Sequence, residues 1–484
     1  MTELPLWAHQ IEAVKRANHM AKAGRGFALF FEQGTGKSRT VLEILRHRCM
    51  DKMSQCRTLI LCPVVVVPNW KNEIRKYTQI PESKVVILEG TGRQKFSQFQ
   101  KAVSEDSESV VVTNYEAVTL NPGLQAEIIK WKPEVVILDE SQRIKTHNSH
   151  RTKSVLAITK NTKFVYLLSG TPVLNSPSDL FSQFKAMDKG LTFGENYYAF
   201  RNRYFFDKNQ FMPSHVKFPN WQLKGDAMSQ INQATLSSSM RVTKEECLDL
   251  PPLVRQKVYC PMTPNQAKSY EEMRRDFISF INDKACVAQL ALTKALRLQQ
   301  IVSGFIKFED GSETNFKDCP RINALRDLLT ELTPHHKVIV WACFKQNYVV
   351  IRKLLEELEI EHVELTGETK EEERATAVRD FQDKRPVRVL LGNPGSGGIG
   401  VNLTASDYSI YYSRNFSLEA DLQSEARNHR GGSERHNKIT RIDLVTPETI
   451  DELVLEKLAS KEEIGEALIT EIREGRSLAS IKRC

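Results

Sequence analysis

Phe27-Ala28-Leu29-Phe30-Phe31-Glu32-Gln33-Gly34-Thr35-Gly36-Lys37-Ser38 is the stretch that decides the fold. A strand-like apolar run, Phe27 to Phe31, empties directly into a glycine-rich turn, and from Thr40 to Arg46 the pattern becomes helical. A turn of this kind between strand and helix aims several backbone N–H groups at one spot, where a helix N-terminus already favours negative charge. That is a phosphate cradle: Gln33, Gly34, Thr35 and Gly36 would wrap the anion, and Lys37 would reach the β- and γ-phosphates of ATP. The Ser38 hydroxyl would ligate Mg²⁺. The longer Gly-x-x-x-x-Gly-Lys pattern is not met, because Phe stands at position 31.

A second stretch supplies what the first lacks. Val135-Val136-Ile137-Leu138 reads as a buried strand and ends in Asp139-Glu140, which sets two carboxylates at the carboxyl edge of a sheet, where open α/β folds bind ligands. Asp139 suits an outer contact to Mg²⁺, and Glu140 suits orienting and deprotonating an attacking water.

The same alternation extends outward. Apolar runs at Thr58 to Cys62, Val85 to Leu88, Val110 to Val112 and Phe164 to Leu168 are separated by helical stretches. The rhythm restarts at Lys337 to Trp341, His362 to Leu365, Val387 to Leu391, Tyr408 to Tyr412 and Ile439 to Leu444. Strands alternating with helices predict mostly parallel sheets covered on both faces, hence two α/β lobes. Between them, Leu191 to Arg241 is rich in aromatic and polar residues, and Asn265 to Ile306 reads as continuously helical. The expected organisation is a first lobe with a C-terminal insertion (1–240), a helical protrusion and linker (241–320), a second lobe (321–465) and a basic tail (466–484).

At 484 residues the chain is too long for one ordinary core, and 40% hydrophobic with 26% charged residues is the composition of a globular protein. The longest apolar run, Leu59 to Val67, is broken by Pro63 and is far shorter than a membrane span. Met1 to Gln10 does not resemble a secretory signal, so the expectation is a cytoplasmic protein, or a nuclear one in a eukaryote, with no membrane contact. Nine scattered cysteines without a Cys-x-x-Cys pair argue for reduced thiols and no structural zinc. The excess of 68 basic over 60 acidic residues, +8, leans toward a polyanionic partner.

Taken together, these segments resemble a known family. Asp139-Glu140-Ser141-Gln142 resembles the DExx box of superfamily-two helicases, and the wider set resembles the sucrose-non-fermenting (Swi/Snf-type) double-stranded-DNA translocases. Leu6 to Gln10 is similar to the adenine-reading segment, with Gln10 at the glutamine position. Leu59 to Trp70 and Val112 to Glu116 are similar to segments that face nucleic acid, and Leu168 to Asn175 to the coupling motif. Gly395 to Leu403 and Gln423 to Gly431 resemble the last two helicase motifs. The resemblance covers nearly the whole chain in family order.

It implies two RecA-like lobes and ATP, with Gly398 and Gly400 beside the nucleotide. Catalysis would fall to Lys37, Asp139, Glu140 and Gln142, with Arg427 and Arg430 reaching from the second lobe to the γ-phosphate. Gln423 and Arg427, four apart in a stretch of helical character (Ser417 to Asn428), would share a face. Ser169, Gly170, Thr171 and Gln423 would couple hydrolysis to lobe movement. Asn69, Trp70, Thr113, Asn114, Arg143, Lys145 and Thr366 are candidates for DNA contact by motif position, Trp70 more as a packing residue than as a base-stacking one. Ser141-Gln142 departs from the more usual Ala-His, and Gly431-Gly432 stands where Ile-Gly-Gln often follows.

The resulting expectation is a monomeric, bare motor that moves along duplex DNA at the expense of ATP, of a sparseness that suits a phage or bacterial enzyme. A strand-separating DNA or RNA helicase is one alternative. A nucleotide-dependent switch or scaffold is another, and the two arginines argue against it.

Overall fold

The computed structural model describes residues 5–50, 56–105, 109–170, 172–173, 176–210, 219–247, 250–283, 288–307, 312–395 and 401–460. The chain divides into two compact units, Met1–Leu248 and Asp249–Cys484.

In the first unit, β1 (Phe27–Phe31), β2 (Thr58–Cys62), β3 (Val85–Ile87), β4 (Val110–Asn114), β5 (Val135–Asp139) and β6 (Phe164–Leu168) lie where the apolar runs predict them. A short antiparallel hairpin, β7 (Phe205–Asp207) with β8 (Trp221–Leu223), follows, and then β9 (Ser239–Val242). The main sheet has the order β3-β4-β2-β5-β6-β1-β9 and is parallel throughout.

The continuous apolar runs have a simple cause. Successive strand residues point to opposite faces, and here both faces are covered. Phe27, Leu29 and Phe31 enter one core with Ile60, Val112, Ile137 and Leu168. Ala28 and Phe30 enter the other with Leu59, Val111, Val136 and Leu167. Burying each such large side chain contributes about 1.5–3 kcal/mol, so polar replacements in these strands are costly.

The sheet order makes β5, β6 and β1 neighbours. Their carboxyl ends carry, in turn, Asp139-Glu140, Ser169-Gly170 and the Glu32-to-Ser38 loop. Three segments far apart in sequence therefore meet at one sheet edge.

The second unit opens with β10 (Leu253–Tyr259), in a region read from sequence as protrusion and linker. The hairpin β11 (Phe305–Lys307) and β12 (Glu313–Asn315) precedes β13 (Val338–Trp341), β14 (His362–Leu365), β15 (Val389–Gly392), β16 (Tyr408–Tyr411) and β17 (Ile439–Val445). The sheet order is β10-β17-β16-β13-β15-β14, again all parallel. Val338, Val340, Leu391 and Ile442 face one core, and Ile339, Trp341 and Leu390 the other.

The helical stretch expected to run unbroken from Asn265 to Ile306 is instead two helices, Pro264–Asp283 and Ala288–Val302, packed against one another. Tyr270, Leu298 and Ile301 share a further core with Ile450, Leu453 and Val454 of the helix Ile450–Ser460. The basic tail expected at 466–484 lies outside the described residues. No described helix is long and apolar enough to cross a membrane.

Candidate active site

The loop after β1 owes its shape to two glycines in the left-handed region, Gly34 at φ +87° and Gly36 at φ +86°. At Gly36 there is also no room for a side chain, because an added Cβ would sit 2.1 Å from Gln10 Nε2. Gln10 Nε2 donates to Gly36 O at 3.3 Å, and Gln10 Oε1 accepts from Trp7 N at 2.9 Å. His9 Nε2 donates to Thr35 O at 2.9 Å, and Thr35 Oγ1 donates to Glu32 O at 2.7 Å. The helix Ala8–Lys22 thus braces the loop through Gln10 and His9.

Beyond the loop, helix Lys37–Met50 begins, and the first backbone N–H groups of a helix have no partner within it. Lys37 Nζ donates to Phe31 O at 3.0 Å and is close enough to Asp139 to favour its ionised form. Gln33 Oε1 is buried and has no donor among the described residues.

At the end of β5, Asp139 is only 7% exposed. Its Oδ2 accepts from Trp70 Nε1 at 3.0 Å and its Oδ1 from Glu140 N at 3.0 Å, and Tyr115 Oη donates to its backbone carbonyl at 2.9 Å. Burial, with the neighbouring Glu140 charge, pushes the Asp139 carboxyl up to about 7, against the pull of Lys37 and the two donors. Glu140 follows with φ +51° and ψ +55°, a left-handed conformation that costs a residue with a side chain about 1–3 kcal/mol, which its surroundings must offset.

Gln142 is one of those surroundings. Its Nε2 donates to Glu140 Oε2 at 2.8 Å, and its Oε1 accepts from Ser169 Oγ at 2.7 Å. One buried amide therefore joins the carboxylate expected to handle water to the turn after β6. Gly170 packs where an added Cβ would be 3.4 Å from both Gln33 Cγ and Phe31 O, which brings that turn against the phosphate loop. Thr171 lies outside the described residues, as do Leu174 and Asn175.

In the second unit, Ser417 caps helix Leu418–Glu425, its hydroxyl accepting from Ala420 N at 3.1 Å. The helix ends at Glu425, two residues before Arg427, so Gln423 and Arg427 do not share a helix face as the spacing predicted. The chain turns there instead: Arg427 N bonds Ser424 O at 3.2 Å, and Gly432 takes φ +101°. Both Arg427 Nη1 and Arg430 Nη1 donate to Val401 O at 3.4 Å. The two guanidinium groups converge on a single carbonyl beside residues 396–400, where the expected nucleotide contacts Gly398 and Gly400 lie outside the described residues.

A buried ion network anchors this turn. Arg441 bridges Asp421 and Glu425 at 2.8 and 2.7 Å, Arg414 pairs with Asp421 at 2.8 Å and with Asp443, and both arginines lie over the Tyr411 ring. Gln423 Nε2 donates to Glu419 Oε1 at 3.1 Å.

The candidates for DNA contact separate by exposure. Asn69, Arg143 and Lys145 keep exposed surface. Trp70, Thr113, Asn114 and Thr366 are buried. The Trp70 indole is committed to Asp139, and Thr113 lies inside the sheet as part of β4. Asn114 is held by Lys95 at 2.6 Å and Glu116 at 2.9 Å. Thr366 borders a cavity of 550 Å³ lined also by Arg352, Glu364, Glu368, Glu373 and Asp380, with Arg352 paired to Glu364 at 2.7 Å.

Sequence reasoning passed over His9 and Tyr115 as bracing groups, since neither position carries a pattern of its own.

A family model described as the SNF2-related domain matches residues 9–306. The chain belongs to the SNF2-related domain family. A second model, the helicase conserved C-terminal domain, matches residues 320–432, within the second unit. Among relatives of this SNF2-related chain, the chromodomain-helicase-DNA-binding protein 1-like of Danio rerio is 26% identical over 476 residues, 96% of this chain and 44% of that protein. The ATP-dependent DNA helicase DDM1 of Arabidopsis thaliana is 24% identical, over 96% of this chain and 62% of its own length. The chain spans about half the length of the curated relatives it matches. A solved SWI2/SNF2 ATPase core of Sulfolobus solfataricus in complex with dsDNA aligns with 100% of this chain and 98% of its own at 21% identity, with a TM-score of 0.44.

Proposed function

We propose that this SNF2-related chain is a DNA-dependent ATPase that translocates along duplex DNA without obligatory strand separation. The observation that carries the reading is the meeting of three strand ends, β1, β5 and β6, which brings a phosphate loop, an acidic pair and a relay turn to one sheet edge, with Gln142 joining Glu140 to Ser169.

In this reading Lys37 and the backbone of Gly34 to Ser38 hold the triphosphate, and Gln10 and Gln33 lie beside it. Asp139 and Ser38 offer one carboxylate and one hydroxyl, a hard oxygen donor set that fits Mg²⁺ bound chiefly through substrate phosphates. Mg²⁺ when bound neutralises phosphate charge. Glu140, its carboxylate oriented by Gln142, aligns the attacking water and accepts its proton. Arg427 and Arg430 offset charge that develops on the γ-phosphate, a contribution of ~10³- to 10⁵-fold in related phosphoryl transfers. Each turnover is coupled to a conformational change that moves the DNA stepwise. Asn69, Arg143 and Lys145 are the residues proposed to meet its phosphates. A relative named as a DNA helicase supports DNA as the partner.

The test is steady-state ATPase activity with duplex DNA, single-stranded DNA and RNA, beside an unwinding assay. Stimulation by duplex DNA without strand separation is the expected result. Preference for single strands with unwinding makes it a helicase, and hydrolysis indifferent to every nucleic acid removes the motor reading.

A further inference from the structure

A second buried amide also spans the space between the end of β5 and the turn after β6. Gln183, in helix Leu180–Asp188, is fully buried. Its Oε1 accepts from Ser141 Oγ at 2.7 Å, and its Nε2 donates to Pro172 O at 2.8 Å and to Asp179 O at 2.9 Å. Ser141 is the residue directly after Glu140 and is itself fully buried. Pro172 lies three residues after Ser169.

We infer that Gln183, acting through Ser141, is a positioning residue for ATP hydrolysis: it fixes the backbone that follows Glu140 in register with the segment after β6, at Pro172. Gln142 holds the Glu140 carboxylate, but a carboxylate is aimed correctly only if its backbone is also fixed. That backbone is in the left-handed region, which costs a side-chain-bearing residue about 1–3 kcal/mol and so gains from constraint on either side. On the preceding side Asp139 Oδ1 accepts from Glu140 N. On the following side, the Ser141 hydroxyl is tied to an amide that also grips the neighbouring turn. Packing alone gives no reason for this arrangement, since a buried hydroxyl facing a buried amide is no better than an apolar pair of the same shape. What the polar pair adds is direction.

The inference rests on the proposed role of Glu140, and the test separates the two. Ser141→Ala, Gln183→Leu and the double variant are made in the full chain, with Glu140→Gln alongside, and kcat and KM for ATP are measured with duplex DNA, with Tm from calorimetry. Gln183→Leu and the double variant are expected to lose ~10- to 100-fold in kcat, the scale of a misplacement of ~1 Å. Their KM for ATP should stay close to that of the parent. The double variant should regain part of the Tm lost in Gln183→Leu, because the serine hydroxyl is no longer orphaned, but none of the rate. A double variant that turns over at the parental rate, or whose rate recovers in step with its Tm, overturns the inference. Should Glu140→Gln turn over normally, the base assignment and this inference fall together; a dead Glu140→Gln beside a fully active double variant sinks the inference alone.

Discussion

Replacing Trp70 by Phe removes the indole N–H that reaches Asp139 Oδ2 across 3.0 Å, while leaving an aromatic ring in a site 1% exposed. Two costs add. The smaller ring leaves a void, a penalty of about 1 kcal/mol at ~24 cal/mol per Å³ that does not vary with pH. The lost hydrogen bond does vary, since one to an ionised group is worth ~1.5–3 kcal/mol and one to a neutral group ~0.5–1.5. Burial and the Glu140 charge already push Asp139 up to about 7. Removing a donor to the charged form raises it further.

A carboxyl whose folded-state pKa exceeds its unfolded value of ~3.9 binds more protons when folded, so stability declines as pH rises from about 4 through about 7. With the larger upward shift, the variant declines further. The penalty of Trp70→Phe should therefore be smallest near pH ~5.5 and larger by ~1–1.5 kcal/mol at pH ~8.5. Calorimetry of the nucleotide-free protein reads this as a gap in Tm that widens by ~2–6 °C toward alkaline pH for a unit of this size. A gap of equal width at both pH values would refute the assignment of the indole as a donor to an ionising Asp139.

Three other substitutions probe the same edge of the sheet. Lys37→Ala should abolish nucleotide binding or hydrolysis, as read by fluorescent-nucleotide titration and phosphate release. Glu140→Gln should bind ATP like the parent and fail to turn it over; parental turnover would remove the general base. Gly36→Ala places a Cβ against the Gln10 amide at φ +86°, so it should lower stability by ~1–3 kcal/mol and weaken ATP binding, and an unchanged Tm would show that the loop is not held in that conformation.

The fold was most legible where strands are buried on both faces. Phe27–Phe31, Leu59–Cys62 and Val135–Leu138 are unbroken apolar runs because neither face meets water. Two of the edge strands, β9 and β10, were missed for the complementary reason. In β10 the polar Arg255, Gln256 and Lys257 are exposed, and in β9 Met240 is only partly covered and Arg241 is exposed, so no apolar run marks either strand. The two helices of residues 264–302 read as one because their apolar spacing runs on across the connection.

Within the site, the loop at Gly34 to Ser38 and the pair Asp139-Glu140 announce themselves, because phosphate binding demands particular residues at particular spacing. Residues that brace rather than touch carry no such demand. Gln183 lies 42 positions from Ser141 and Trp70 lies 69 from Asp139, and only the sheet order brings them together. The helix carrying Gln423 ends before Arg427 because the ion network around Asp421 and Glu425 and the turn at Gly432 fix the chain there, which residue spacing alone does not reveal.

The claim that Arg427 takes part in ATP hydrolysis is tested most directly by Arg427→Ala under single-turnover conditions, with saturating Mg·ATP and duplex DNA. The chemical step should slow by ~10³-fold or more while nucleotide affinity stays near parental. Hydrolysis at the parental rate in that variant would contradict the account, because Arg427 would then contribute nothing that the phosphate loop and Glu140 do not supply by themselves.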